Sequence, residues 1–321
     1  MNRMVNMTRR AAIGSGLAAI ASAASDVFGR TADQYEEGYC NVAGGRVYWR
    51  RFGSGDGVPL LVLHGGPGAA HNYMLPMTAL ADERPIIFYD QLGCGRSDAP
   101  PDESLYTVQR SVDELDAVRA ALKLSNVFIA GHSWGAFLAI EYVCQGRGAG
   151  VERMVLSGAS ASTAQVIAGQ QRLINSLPDG FAAKLHALEA QGRMSGPEYA
   201  ALTQTFYDRF VLRVPPTPDA KATFDALSKS IAYRVMNGPN EFYITGVIKD
   251  WDRRRDLKSV RQPVLLTTGQ YDEITLDCHE TIRDGVGGPV SLEVLRGCSH
   301  LTMIEQPDRY NSLVRAFVDR S

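Results

Sequence analysis

The sequence predicts an α/β fold, a mostly parallel sheet flanked by helices and interrupted by an inserted helical cap. Three observations predict it. Short apolar runs without period-2 alternation recur along the chain, the pattern of strands buried on both faces. Helical patterns lie between those runs, and strand alternating with helix is the signature of an α/β core. The alternation then breaks between about residues 160 and 256, where helices and turns follow one another without convincing strands. The expected organisation is an address segment at 1–30, core at 36–160, cap at 161–256 and core again at 257–321.

Composition supports a globular chain. Among 321 residues, 45% are hydrophobic and 21% charged, which excludes disorder, collagen-like repeats and coiled coil. A net charge of −2 without a basic run argues against nucleic acid as an electrostatically attracted partner. The five cysteines are widely spaced and form no CxxC pair, so neither a zinc knuckle nor a dense disulfide framework is expected. Pairing of Cys278 with Cys298 stays open.

At the N-terminus, Thr8-Arg9-Arg10 precedes the uncharged stretch Ala11 to Ser25, which ends near Ala21-Ser22-Ala23. That order resembles a twin-arginine signal for export to the periplasm, with a cytoplasmic location as the alternative. The stretch is too short to span a bilayer, so no stable membrane insertion is expected. Next, Tyr39–Ala43 and Arg46–Phe52 flank Gly44-Gly45 and read as a hairpin. The apolar runs Leu60–Leu63, Ile86–Tyr89, Val127–Ala130, Met154–Leu156, Val264–Thr268 and Leu292–Leu295 read as strands. Thr107 caps a helix whose apolar face is Val108, Val112, Leu115, Val118 and Leu122. Helices are also read over Trp134 to Tyr142 and Tyr310 to Val318. Within the cap, Ser195-Gly-Pro-Glu198 resembles a capping box, and Val214-Pro-Pro-Thr-Pro218 reads as an extended spacer. Asn237-Gly-Pro-Asn240 is expected to stop one helix and cap the next.

The chemistry concentrates at strand ends. Gly131-His-Ser133-Trp-Gly135 is a G-x-S-x-G run between a strand and a helix, the context of a nucleophile elbow. A serine hydroxyl is a weak nucleophile and needs a base, which is His300 in Gly297-Cys-Ser-His300. Asp272 ends a strand run and is the expected orienting acid. The order Ser133, Asp272, His300 is that of an α/β-hydrolase. The backbone N–H groups of Gly66 and Trp134 are the candidate oxyanion hole, since Gly65-Gly66-Pro67-Gly68 follows an early strand. No nucleotide-binding glycine motif follows a strand, and the chemistry needs no metal, so no cofactor is implied.

Together, His64-Gly-Gly-Pro-Gly68, Asp90-Gln-Leu-Gly-Cys-Gly-Arg-Ser-Asp98, Gly131-His-Ser-Trp-Gly135, Asn237-Gly-Pro-Asn-Glu-Phe242 and Gly269-Gln-Tyr-Asp-Glu273 resemble the proline iminopeptidase family. The resemblance covers about residues 36 to 320. It implies a capped α/β-hydrolase fold and a serine enzyme that releases an N-terminal residue from short peptides or hydrolyses L-amino-acid amides. It further implies that Glu241 and Glu273 hold the substrate's free amine. Taken without the resemblance, the plainer readings come first, Glu241 as a first-turn helix acid and Glu273 as a solvated loop acid. An esterase or lactonase of the same fold, and a non-catalytic ligand-binding protein, are the alternatives. The oligomeric state is left open.

Overall fold

The structure, a computed structural model, describes residues 35–319. The expected export signal lies outside the described residues. The chain builds one eight-stranded sheet: β1 (Tyr35–Val42), β2 (Gly45–Phe52), β3 (Leu60–Leu63), β4 (Ile86–Tyr89), β5 (Val127–His132), β6 (Val151–Ser157), β7 (Val264–Gly269) and β8 (Val290–Leu295). The spatial order is β1-β2-β4-β3-β5-β6-β7-β8. β1 with β2 and β2 with β4 are antiparallel, and every later pairing is parallel.

Both faces of the sheet are covered, which is why its strands read as unbroken apolar runs. Leu61, Leu63 and Ile129 pack with Val112, Leu115 and Val118 of α1 (Val108–Ala121) on one face. Leu60, Val62 and Phe128 point the other way. They pack with Tyr310, Val314 and Phe317 of a C-terminal helix that begins at Pro307, three residues earlier than expected. Thr107 caps α1 as read, its hydroxyl accepting from Arg110 N at 3.1 Å.

After β5, α2 (Trp134–Cys144) runs back along the sheet. Between β6 and β7 lie α3 (Thr163–Ser176), α4 (Phe181–Ala190), α5 (Pro197–Phe210), α6 (Pro218–Leu227) and α7 (Ile231–Met236), with their own cluster around Ile174, Leu185, Phe206 and Phe242. Two local readings are corrected here. Pro197 is the first residue of α5, so Gly196 is the N-cap, and it makes no side-chain cap bond. Ser195 sits one position too early and Glu198 too early for the third helical position, so no capping box forms. Asn237 does end α7, but Asn240 starts no helix. Its Oδ1 accepts from Phe242 N at 3.1 Å, closing a turn instead. The segment from α8 (Leu276–Gly285) through α9 (Thr302–Glu305) to α10 (Pro307–Val318) completes the fold. Cys278 and Cys298 are buried and unpaired. No helix among the described residues is long and apolar enough to cross a membrane.

Candidate active site

Ser133 joins β5 to α2 at φ 53° and ψ −124°, a left-handed conformation that a side chain normally avoids. The flanking glycines have a steric cause. A Cβ on Gly131 would collide with the Gly135 backbone, and one on Gly135 with the carbonyls of Leu63 and His64. The strained turn is held by hydrogen bonds from Ser133 N to Ser157 O (2.9 Å) and from Ala136 N to Ser133 O (2.8 Å).

Asp272 follows β7 and His300 follows β8, and the two meet. His300 Nδ1 donates to Asp272 Oδ1 at 2.7 Å, since a carboxylate only accepts. This leaves Nε2 as the basic nitrogen. Asp272 also accepts from Ile274 N (2.9 Å) and the Thr268 hydroxyl (3.1 Å), which fixes the carboxylate. Burial alone would raise the Asp272 pKa, but the His300 charge and hydrogen bond hold it below the usual carboxylate value. Burial alone would lower that of His300, but Asp272, Glu273 and Glu241 together push it up to about 9. Gly158 (φ +53°) covers the imidazole so closely that a Cβ there would lie 2.5 Å from His300 Cε1.

Two residues not singled out from the sequence tie the elbow to its neighbours. His132, directly before Ser133, has its ring 4.5 Å from that of His300, centroid to centroid. His132 Nε2 faces the His300 carbonyl at 3.0 Å, so it carries the proton and Nδ1 must accept. Nδ1 accepts from the Tyr73 hydroxyl at 2.8 Å, which in turn accepts from Gly65 N at 2.7 Å. Every proton in this chain has one consistent placement. Burial and the adjacent His300 lower the His132 pKa to about 3, so it stays neutral and the chain stays intact. Gly65 itself lies against the elbow: a Cβ there would be 2.9 Å from Ser133 Cβ. The Gly66 N–H has no acceptor among the described residues. Trp134 opens α2, where a helix leaves its first N–H groups unpaired. The Trp134 indole donates to Gln91 Oε1 (2.9 Å), whose amide donates to His64 O (3.0 Å), linking α2 to the glycine loop.

The two glutamates reach the same place. Glu273 is buried, which excludes the solvated-loop reading, and its Oε1 lies 3.8 Å from His300 Nε2. Glu241 sits in the turn after α7 rather than in a helix, which excludes the first-turn reading. Its carboxylate accepts from the Tyr233 hydroxyl at 2.8 Å. Gln170, on α3 and absent from the sequence reading, donates its Nε2 to Glu241 O (3.0 Å) and to Glu273 Oε2 (3.2 Å). Burial raises the Glu241 pKa. Burial and then the Glu241 charge push that of Glu273 up to about 8. A buried acid and a half-buried one thus face the same histidine.

Comparison with known proteins places the whole chain rather than its single residues. The profile described as "Alpha/beta hydrolase family" matches residues 60–313. A proline iminopeptidase of Saccharolobus solfataricus is 35% identical over 289 residues, covering 89% of this chain and 93% of that protein. The proline iminopeptidase of Heyndrickxia coagulans is also 35% identical, covering 89% and 99% respectively. The chain belongs to the proline iminopeptidase family. A solved proline iminopeptidase of Mycobacterium smegmatis superposes with a TM-score of 0.82 at 33% identity, covering 88% of this chain and 97% of that one. The resemblance and the hydrolase fold expected from the motifs are both borne out, and with them membership of an enzyme family. Within the proline iminopeptidase family, the question left for this chain is what each site residue does.

Proposed function

We propose that this chain is a serine exopeptidase that releases one N-terminal residue from a short peptide, or ammonia from an L-amino-acid amide. Proline or another small apolar residue is the expected acyl group. His300 Nε2 takes the proton of the Ser133 hydroxyl as its oxygen attacks the carbonyl of the first residue. Asp272 holds the imidazole tautomer and stabilises the imidazolium. The N–H groups of Gly66 and Trp134 donate hydrogen bonds to the developing oxyanion. His300 then protonates the leaving amine, and water releases the acyl group from Ser133 by the same route.

The observation that carries this reading is the buried Glu273 carboxylate 3.8 Å from the basic nitrogen, tied through Gln170 to Glu241. An ammonium is the natural counter-ion for a buried acid and a half-buried one side by side, and a simple acyl ester would leave them without one. Within one residue the amine nitrogen and carbonyl carbon are only about 2.5 Å apart. A substrate anchored at Glu273 therefore offers its first carbonyl beside the base.

A panel of aminoacyl-arylamides and amino-acid amides, each with and without an N-terminal acetyl block, tests this. Free-amine compounds are expected to be cleaved and blocked ones spared. Equal cleavage of both would remove the amine site from the mechanism and return the esterase reading. A fluorophosphonate that fails to label Ser133 would return the non-catalytic one.

A further inference from the structure

The glycine loop is held by the histidine that opens it. His64 directly follows β3 and is 1% exposed. Its two ring nitrogens have different partners, and those partners decide where the proton lies. Nε2 is 2.9 Å from Gln91 N, a backbone N–H that can only donate, so Nε2 accepts. Nδ1 is 2.9 Å from Gly65 O, a carbonyl that can only accept, so Nδ1 carries the proton. Gln91 is itself fixed: its Oε1 accepts from the Trp134 indole and its Nε2 donates to His64 O. A second proton on His64 would set Nε2–H against Gln91 N–H, and burial also lowers the His64 pKa. The ring is neutral, in one tautomer.

What that tautomer holds is one end of a peptide unit. The Gly65–Gly66 bond is trans, so its C=O and N–H lie in one rigid plane and point in opposite directions. Fixing the Gly65 carbonyl therefore fixes the direction of the Gly66 N–H. The other donor to Gly65 O, Ala69 N, is at 3.4 Å and contributes less. Both residues of the unit are glycine, so little else in the backbone resists a turn of its plane. The unit also lies at the nucleophile, since a Cβ on Gly65 would be 2.9 Å from Ser133 Cβ. Resting on the reading of the Gly66 N–H as an oxyanion donor, we propose that His64 is a positioning residue for the reaction: its Nδ1–H holds the Gly65 carbonyl, and so keeps the Gly66 N–H aimed at the substrate oxygen. It acts through Gly65 and touches no substrate.

His64→Asn and His64→Leu isolate that bond. The Asn amide nitrogen takes the place of Nδ1 and can donate to Gly65 O, whereas Leu has nearly the same shape and donates nothing. Both lack an acceptor for Gln91 N, so a purely structural loss falls on the two alike. kcat and KM are measured with alanyl-arylamide, and stability by denaturant titration. His64→Leu is expected to lose kcat by about tenfold to a hundredfold with KM nearly unchanged, the cost of misplacing a donor rather than deleting it. His64→Asn is expected to rescue kcat to at least about fivefold above His64→Leu, although the two are destabilised to similar extents. Inhibition by alaninal, whose carbonyl adds the Ser133 oxygen and sets its own in the oxyanion hole, is expected to weaken in parallel with kcat.

Equal kcat in the two variants, whether both fall or both stay at the wild-type level, overturns the proposal. If His64→Leu does not fold, His64→Asn decides, and a loss of about a hundredfold in its kcat overturns it. If His64→Asn does not fold, wild-type kcat in His64→Leu overturns it. Failure of the underlying reading looks different: alaninal would then bind the wild-type chain no more tightly than alaninol, which has no carbonyl. Tight alaninal binding that survives unchanged in His64→Leu sinks the role of His64 alone.

Discussion

Replacing Glu273 with Gln is expected to move the pH at which Ser133 becomes reactive, and to move it downward. The Glu273 carboxylate is 3.8 Å from His300 Nε2. At an effective dielectric of about 20, two unit charges at that separation interact by about 4 kcal/mol, or about 3 pH units. The charge is present when it matters, because Glu273 titrates near 8 and His300 near 9. A negative neighbour favours the imidazolium, so its loss lowers the His300 pKa. Glu241, left alone with its own raised pKa, then ionises more readily and restores part of the charge. A shift of at least about one unit is the expected remainder. The assay is the rate of Ser133 labelling by a neutral fluorophosphonate between pH 5 and about 10, a reaction that needs neutral His300 but no ammonium in the site. Wild-type labelling is expected to rise through about pH 9, following His300. Coincident curves for the two proteins, or a Glu273→Gln curve displaced upward, would refute the electrostatic account.

Two further outcomes follow from local geometry. Ser133→Ala is expected to reduce turnover by at least about 10⁴-fold with the fold retained, as checked by steady-state kinetics and circular dichroism. Ser133→Gly is expected to be equally inactive yet more stable than Ser133→Ala by about 0.5–1 kcal/mol in denaturant titration. Glycine relieves a positive φ that costs about 1–2 kcal/mol, and gives back part of that in chain entropy. Tyr73→Phe removes the acceptor of Gly65 N and the donor to His132 Nδ1, leaving a buried N–H unpaired. A loss of about 1–3 kcal/mol in stability is expected, with kcat falling and KM nearly unchanged, since the oxyanion loop loses its register with the elbow.

What the sequence made legible follows from how local each feature is. Leu60–Leu63 and Val127–Ala130 could be read as strands because burial on both faces removes polar alternation, and that shows within four residues. Ser133, Asp272 and His300 could be read because each lies at the end of such a run. Glu241 and Glu273 could not be chosen by spacing: both came from the resemblance, and the burial of Glu273 and its approach to His300 became visible only in three dimensions. Gln170 and Tyr73 were missed because their partners are distant in the chain. Gln170 meets Glu273 across 103 positions and Tyr73 meets His132 across 59. A glutamine in an ordinary helical pattern carries no mark of that. The two misread turns have local causes. Pro197 opens α5, which puts the cap on Gly196, and the side chain of Asn240, a type that caps helices, closes a turn instead.

The end of α5 ties the loop of Glu273 and the loop of His300 together. A helix leaves its last carbonyls unpaired, and here the Phe210 carbonyl accepts from both Glu273 N (3.1 Å) and His300 N (3.2 Å). The Val211 carbonyl next to it accepts from Leu301 N at 3.2 Å. The loops after β7 and β8 are therefore pinned to the same point of the inserted helical segment, not merely to the sheet. The separation of Glu273 Oε1 from His300 Nε2 is then set by backbone hydrogen bonds rather than by two side chains free to drift. Any movement of α5 that opens the site breaks the contact to the acid loop and the contact to the base loop together. In the reaction proposed above, where Glu273 anchors the ammonium one residue from the scissile bond, this shared carbonyl is expected to keep anchor and base in register.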